Sequence, residues 1–178
     1  SVWHLAVLDG KELRVSSLED GAEKATIPGV SGGSFAFLGD RVVVAAALIM
    51  GTVFAAFILL KDAGGRKVLR NYYRTYAQLA VRCGAGFVFE SPTWRANPDW
   101  GAKLGYDAAR LAAINSLAVA EIAELRARLE TPASPIVISG NLGPRGDGYR
   151  ADARMTAEQA RAYHAPQIGT FAATAADV

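Results

Sequence analysis

Glu90, Ser91 and Thr93 stand directly behind the apolar triplet Phe87-Val88-Phe89, and Gly140 and Asn141 follow Pro135-Ile136-Val137-Ile138-Ser139. A carboxyl, two hydroxyls and a carboxamide can orient a small polar substrate and exchange a proton with it. Trp94 and Trp100, in the first of these two polar stretches, offer an apolar wall. In the second, Gly140, Gly143, Gly146 and Gly148 allow close approach of the backbone to a ligand, or a positive φ. The plainer alternative is structural: Glu90 pairs with Arg95, Arg145 pairs with Asp147, and the tryptophans act as packing. No Gly-Lys-Ser/Thr follows the glycines, which argues against a phosphate loop.

Both stretches begin where an apolar strand should end, and helical patterns surround them. Residues 66–82 place Leu69, Tyr72, Tyr73, Tyr76, Leu79 and Ala80 on one face. Asp107 can cap a helix whose apolar positions Leu111, Ile114, Ala118, Ile122, Leu125 and Leu129 step by three and four. Thr156 and Gln159 have the spacing of a capping box for a last helix running toward Val178, bent at Pro166. Helix, strand, helix, strand, helix implies a parallel sheet, in which loops after the strands carry chemistry.

Residues 1–48 have a different texture. Short strands alternate with turn signals at Asp9-Gly10, Pro28-Gly29 and Gly39-Asp40, which predicts a four-stranded antiparallel meander. The stretch Glu12-Leu13-Arg14-Val15-Ser16-Ser17-Leu18 followed by Ile27-Pro28-Gly29 faintly resembles one blade of a WD40- or TolB-like propeller. A single blade cannot bury both of its faces.

The chain has 178 residues, 51% hydrophobic and 20% charged, enough to bury a core. A net charge of +2 with scattered basic residues argues against a nucleic-acid partner. Cys83 is the single cysteine, which excludes an internal disulfide and fits a reducing compartment. Residues 42–60 form a 19-residue uncharged run between Arg41 and Lys61, near the minimum for a spanning helix. The rival is a buried strand, favoured by Val42-Val43-Val44, joined at Gly51-Thr52 to a second buried segment. No signal peptide is visible, and both ends read as cuts.

Several motifs in order resemble the homocysteine S-methyltransferase family across residues 52–178. They are Ala55-Ala56-Phe57 with Leu59-Leu60-Lys61-Asp62-Ala63-Gly64-Gly65-Arg66, then Tyr72-Tyr73, then residues 90–106. Ser139-Gly140 with Gly143-Pro144-Arg145-Gly146-Asp147, and Tyr163-His164-Ala165-Pro166-Gln167-Ile168, complete the set. The resemblance implies an α/β fold: a partial (β/α)8 TIM barrel over residues 49–178, preceded by the small β-meander of residues 1–48. It implies transfer of a methyl group to the thiol of homocysteine or a related thiol, and a cytoplasmic location. The expected substrate contacts are Glu90, Ser91, Thr93, Trp94, Gly140 and Asn141; catalytic residues stay unassigned.

In this family zinc held by cysteine thiolates favours the substrate thiolate. Those cysteines belong to the C-terminal half of the barrel, so zinc is expected for a full-length member and no metal for this chain. The family's Asp-Gly-Gly strand end is also missing: Thr52-Val53-Phe54 runs straight into Ala55, and Leu8-Asp9-Gly10 is followed by Lys11. The expectation is a fragment inactive alone, with a small-molecule thiol and a methyl donor as partners. Open barrel edges would favour self-association. Two other classes compete: a membrane-anchored binding or sensor protein spanning at residues 42–60, and a pseudo-enzyme scaffold.

Overall fold

The computed structural model describes residues 55–146 and 154–178 in full, and the strands formed by residues 4–9, 12–17, 23–28, 34–38 and 41–46. Strands β1 (His4–Asp9), β2 (Glu12–Ser17) and β3 (Glu23–Pro28) make an antiparallel sheet in the order β1-β2-β3. A second sheet has the order β4-β5-β6-β7, from β4 (Ser34–Leu38), β5 (Arg41–Ala46), β6 (Phe87–Glu90) and β7 (Ile136–Ser139). In it β4 and β5 are antiparallel, whereas β5, β6 and β7 run parallel.

This topology corrects the four-stranded meander. Leu38 pairs with Arg41 and Asp9 with Glu12, as the two hairpins require, although Gly10, Gly39 and Asp40 themselves lie outside the described residues. The fourth and fifth strands, however, join β6 rather than the first three. The Val42–Ala46 run lacks a polar alternation, the composition of a strand placed inside a parallel sheet.

A spanning helix over residues 42–60 is likewise overturned. Its start is β5 and its end is a 3-10 segment, Ala56–Lys61. Among the described residues no helix is long and apolar enough to cross a membrane. The Gly51-Thr52 seam lies outside the described residues.

The helices follow local signals. Asp62 caps α1 (Ala63–Arg82) by accepting from the Gly65 amide at 2.8 Å, and Gly84, at φ +60°, stands just past its end. Asn97 caps a short α2 (Pro98–Lys103) that the sequence reading leaves inside a loop. Asp107 caps α3 (Ala108–Leu129) through the Arg110 amide, 2.8 Å away. Thr156 and Gln159 form the expected capping box of α4 (Ala157–Ala172). The last helix ends at Ala172, short of Val178. The chain then turns back to β7, where the Asp177 amide donates to the Ile138 carbonyl at 2.8 Å.

Strand alternation separates the sheet's two faces. Phe87, Phe89, Ile136 and Ile138 are buried in one core with Tyr73, Ala77, Val119 and Ile122 of α1 and α3. Tyr73 meets Phe89 edge-on, ring centroids 5.5 Å apart. Burying each large apolar side chain there contributes about 1.5–3 kcal/mol. Val88, Glu90, Val137 and Ser139 occupy the alternate positions and are half-buried or exposed.

Candidate functional site

Register brings the two polar stretches together. Glu90 pairs with Ser139, so the loops that follow β6 and β7 leave the sheet side by side. The Ser91 amide continues the ladder, donating to the Ser139 carbonyl at 2.9 Å.

Three side-by-side residues then close a cycle. Thr93 Oγ1 donates to the Asn141 carbonyl at 2.8 Å, and the Asn141 amide donates to Ser91 Oγ at 2.9 Å. Ser91 Oγ and Thr93 Oγ1 are 2.6 Å apart. A hydroxyl carries one proton, so with the Thr93 proton on Asn141 the Ser91 proton must point to Thr93. Each hydroxyl therefore donates once and accepts once. Ser91 and Thr93 are 1% and 0% exposed. Their chemistry in this structure is to fasten one loop to the other.

Glu90 differs from them. It is half-buried on the sheet face opposite Phe89, and burial pushes its carboxyl above its ordinary value. Its backbone carbonyl accepts from the Tyr73 hydroxyl at 2.7 Å. Burial raises the Tyr73 hydroxyl far out of reach of a physiological proton transfer, so Tyr73 serves as a fixed donor. Trp94, within this loop, is 49% exposed. Trp100 lies under cations, with the Arg95 guanidinium 4.4 Å and the Lys103 ammonium 4.1 Å from its ring centre.

The glycines of the second loop divide by role. A Cβ on Gly140 would lie 2.6 Å from the Phe171 ring, and one on Gly143 would lie 2.0 Å from the Trp94 carbonyl oxygen. Both glycines thus permit protein–protein closeness. Gly146 has φ +71°, while Gly148 and Asp147 lie outside the described residues. Arg145 pairs with Asp99 at 3.2 Å, which ties the second loop to α2. Asn141 and Gly140 remain partly accessible beside Glu90's strand end.

Two residues that the sequence does not mark as site residues support the first loop. Asn115 of α3 and Gln167 of α4 are buried, and their side chains hydrogen-bond each other and the loop backbone. A polar residue on the apolar stripe of α3, between Leu111 and Ala118, was the available signal for Asn115. Gln167 lies within the Tyr163–Ile168 motif with nothing local to mark its role.

A zinc site does not fit the residues described. No group of three or more His, Cys, Asp or Glu side chains among them could hold a metal ion. Cys83 is exposed at the end of α1, ahead of β6, whereas Glu90 is at the far end of that strand. His164 is half-buried and meets the Tyr163 ring at 5.0 Å. A separate groove near the α2–α3 turn is lined by Lys61, Arg66, Tyr106 and Arg110. Arg66 is engaged there by the Leu60 carbonyl and Arg110 by the Gly105 carbonyl, at 2.9 and 3.2 Å.

Fold and site together define a mixed α/β protein whose polar loops follow adjacent parallel strands. The homocysteine S-methyltransferase family model matches residues 43–178, and the chain belongs to that family. Two solved structures of the homocysteine methyltransferase MmuM from Escherichia coli share its fold. The metallated form aligns with a TM-score of 0.60 at 23% identity, covering 79% of this chain and 52% of that one. The oxidized form gives a TM-score of 0.56 at 23% identity, covering 72% and 46%. The chain thus spans about half the length of the structures it matches. No curated protein sequence gives a significant match.

Proposed function

We propose that this chain carries the substrate-binding loops of a methyltransferase acting on the thiol of homocysteine or a related thiol. The observation that carries this reading is the fusion of the β6 and β7 loops by the Ser91–Thr93–Asn141 cycle, inside the span matched by the family model. The sheet face bearing Glu90 and Ser139 would be the interior of a partial (β/α)8 barrel. In that arrangement the strand ends are the binding end. The barrel-type unit would begin at β5, the first of the parallel strands and earlier than residue 49, with the antiparallel β1–β4 outside it.

Glu90, Trp94, Gly140 and Asn141 would contact substrate, while Ser91 and Thr93 hold the loops that present them. A half-buried carboxyl suits an amino-acid ammonium, whose charge would draw the Glu90 carboxyl back down on binding. The Asn141 side-chain NH2 group suits the substrate carboxylate, and Trp94 covers the carbon chain. Zinc, in a family member that holds it, makes the thiol a better nucleophile. With Cys83 as its single cysteine, this chain cannot supply a set of thiolates. Binding rather than turnover is its proposed activity, in the cytoplasm, with self-association through sheet edges.

Calorimetric titration with homocysteine tests this. Wild type should bind it, and Glu90→Gln should weaken binding about tenfold, the loss of one charge-assisted hydrogen bond. A thiol acid lacking the amine should bind both proteins equally. Absence of homocysteine binding, or equal affinity of wild type and variant, rejects the reading.

A further inference from the structure

Residues Thr93 to Ala96 form a turn closed by the Ala96 amide donating to the Thr93 carbonyl at 2.9 Å. Trp94 and Arg95 are its central residues. The carbonyls at the two ends of this turn are each held by a buried side-chain amide from a different helix. Gln167 Nε2 donates to the Thr93 carbonyl at 3.2 Å, and Asn115 Nδ2 donates to the Ala96 carbonyl at 3.0 Å. The two amides are joined, because Gln167 Nε2 also donates to Asn115 Oδ1 at 3.0 Å. Asn115 is anchored in turn by a 2.8 Å bond to the Leu111 carbonyl.

Chemistry fixes the orientation of both amides. Every backbone partner is a carbonyl, so the nitrogens must face the turn and α3, and flipping either side chain would set oxygen against oxygen. Asn115 and Gln167 are 2% and 6% exposed, so water does not compete for these bonds. We infer that Asn115 and Gln167 are positioning residues, a two-helix amide clamp that fixes the Thr93–Ala96 turn and with it the Trp94 indole, which stands against Gly143 of the second loop.

The clamp bears on function through the reading above, in which Trp94 lies against the substrate. General stabilisation of the core would be a weaker role. The two differ in where the protein loosens when the amides are removed. Gln167→Met keeps the volume and removes both donors to the turn and to Asn115. Amide hydrogen exchange is then followed at Ala96 and, as reference, at Ile122 and Ile138.

Losing one such bond should speed exchange at Ala96 about five- to tenfold, with the reference amides unchanged. Asn115→Ser, which loses the bond to the Ala96 carbonyl by another route, should give the same local pattern if the first variant is poorly folded. Exchange that rises equally at Ala96 and the reference amides, or at none of them, overturns the clamp. Homocysteine titration of the same proteins addresses the function separately. Failure of wild type to bind rejects the thiol-binding reading and leaves the exchange result to decide the clamp. Binding by wild type that Gln167→Met leaves unaltered overturns the positioning role.

Discussion

The loops after β6 and β7 occupy equivalent places at the ends of paired parallel strands, yet they are held by different means. The first is held by polar side chains: Asn115 and Gln167 donate to its buried carbonyls from two helices, while Ser91 and Thr93 bond to the Asn141 backbone of the neighbouring loop. The second adds close approach of bare backbone, since Gly140 lies against the Phe171 ring and Gly143 against the Trp94 carbonyl, and the Arg145–Asp99 pair is its own side-chain tie. Directional bonds suit a loop that must present particular groups. Close approach suits the loop that serves as its abutment.

The sharpest way to break this contrast is to give the second loop a side chain. Gly143→Ala places a methyl against backbone, which has no rotamer to yield, and should cost about 3 kcal/mol, the upper part of the overpacking range. The urea midpoint of unfolding reads it. Thr93→Val removes one member of the hydrogen-bonded cycle while keeping the shape. It leaves the Asn141 carbonyl and the Ser91 hydroxyl short of a partner and should cost about 2 kcal/mol in the same measurement. Equal effects of Thr93→Val and Thr93→Ser would show that the hydroxyl is not what holds the first loop.

Gly140→Ala meets a side chain rather than backbone, so a ring shift can absorb part of the strain, and about 1 kcal/mol is expected. Adding Phe171→Leu should recover some of that loss if the contact with the ring is the cause. The smallest effect belongs to Glu90. Burial raises its folded pKa above the unfolded value, so the folded state holds the proton more tightly. That contribution is present at low pH and is lost as pH rises from the ordinary carboxyl range through the raised value. Glu90→Gln should flatten this decline in urea midpoints taken from about pH 4 to 8.

Much of the scaffold was legible because its signals are local. Asp107 three residues before the Arg110 amide, and Thr156 three before Gln159, announce helix starts without any tertiary information. The apolar stripes of α1 and α3 gave the faces that pack on β6 and β7. Glu90 and Asn141 were marked by their place after apolar strands. The short α2 was hidden because Asn97-Pro98 reads equally as a turn and as a helix start.

Distant partners were not legible. Ser91 and Asn141 are 50 residues apart, and Gln167 and Thr93 are 74 apart, so no periodicity links them. Gly140 and Gly143 looked suited to a ligand, and only Phe171 and Trp94 show what they accommodate. The expected meander failed for the same reason: hairpin signals select a strand's neighbour in sequence, while its second edge is free to pair elsewhere, and β5 used it for β6.

By itself, then, the sequence determined which segments become helices and strands, where they begin, and that polar groups follow two apolar strands. Those properties depend on residues within one or two turns of each other. Tertiary structure decided which hydroxyls are consumed in holding loops, which glycines admit a neighbour, and which carboxyl is left half-buried. Those depend on surfaces brought together from far along the chain, where burial and hydrogen-bond geometry choose among residues that look equally reactive in sequence.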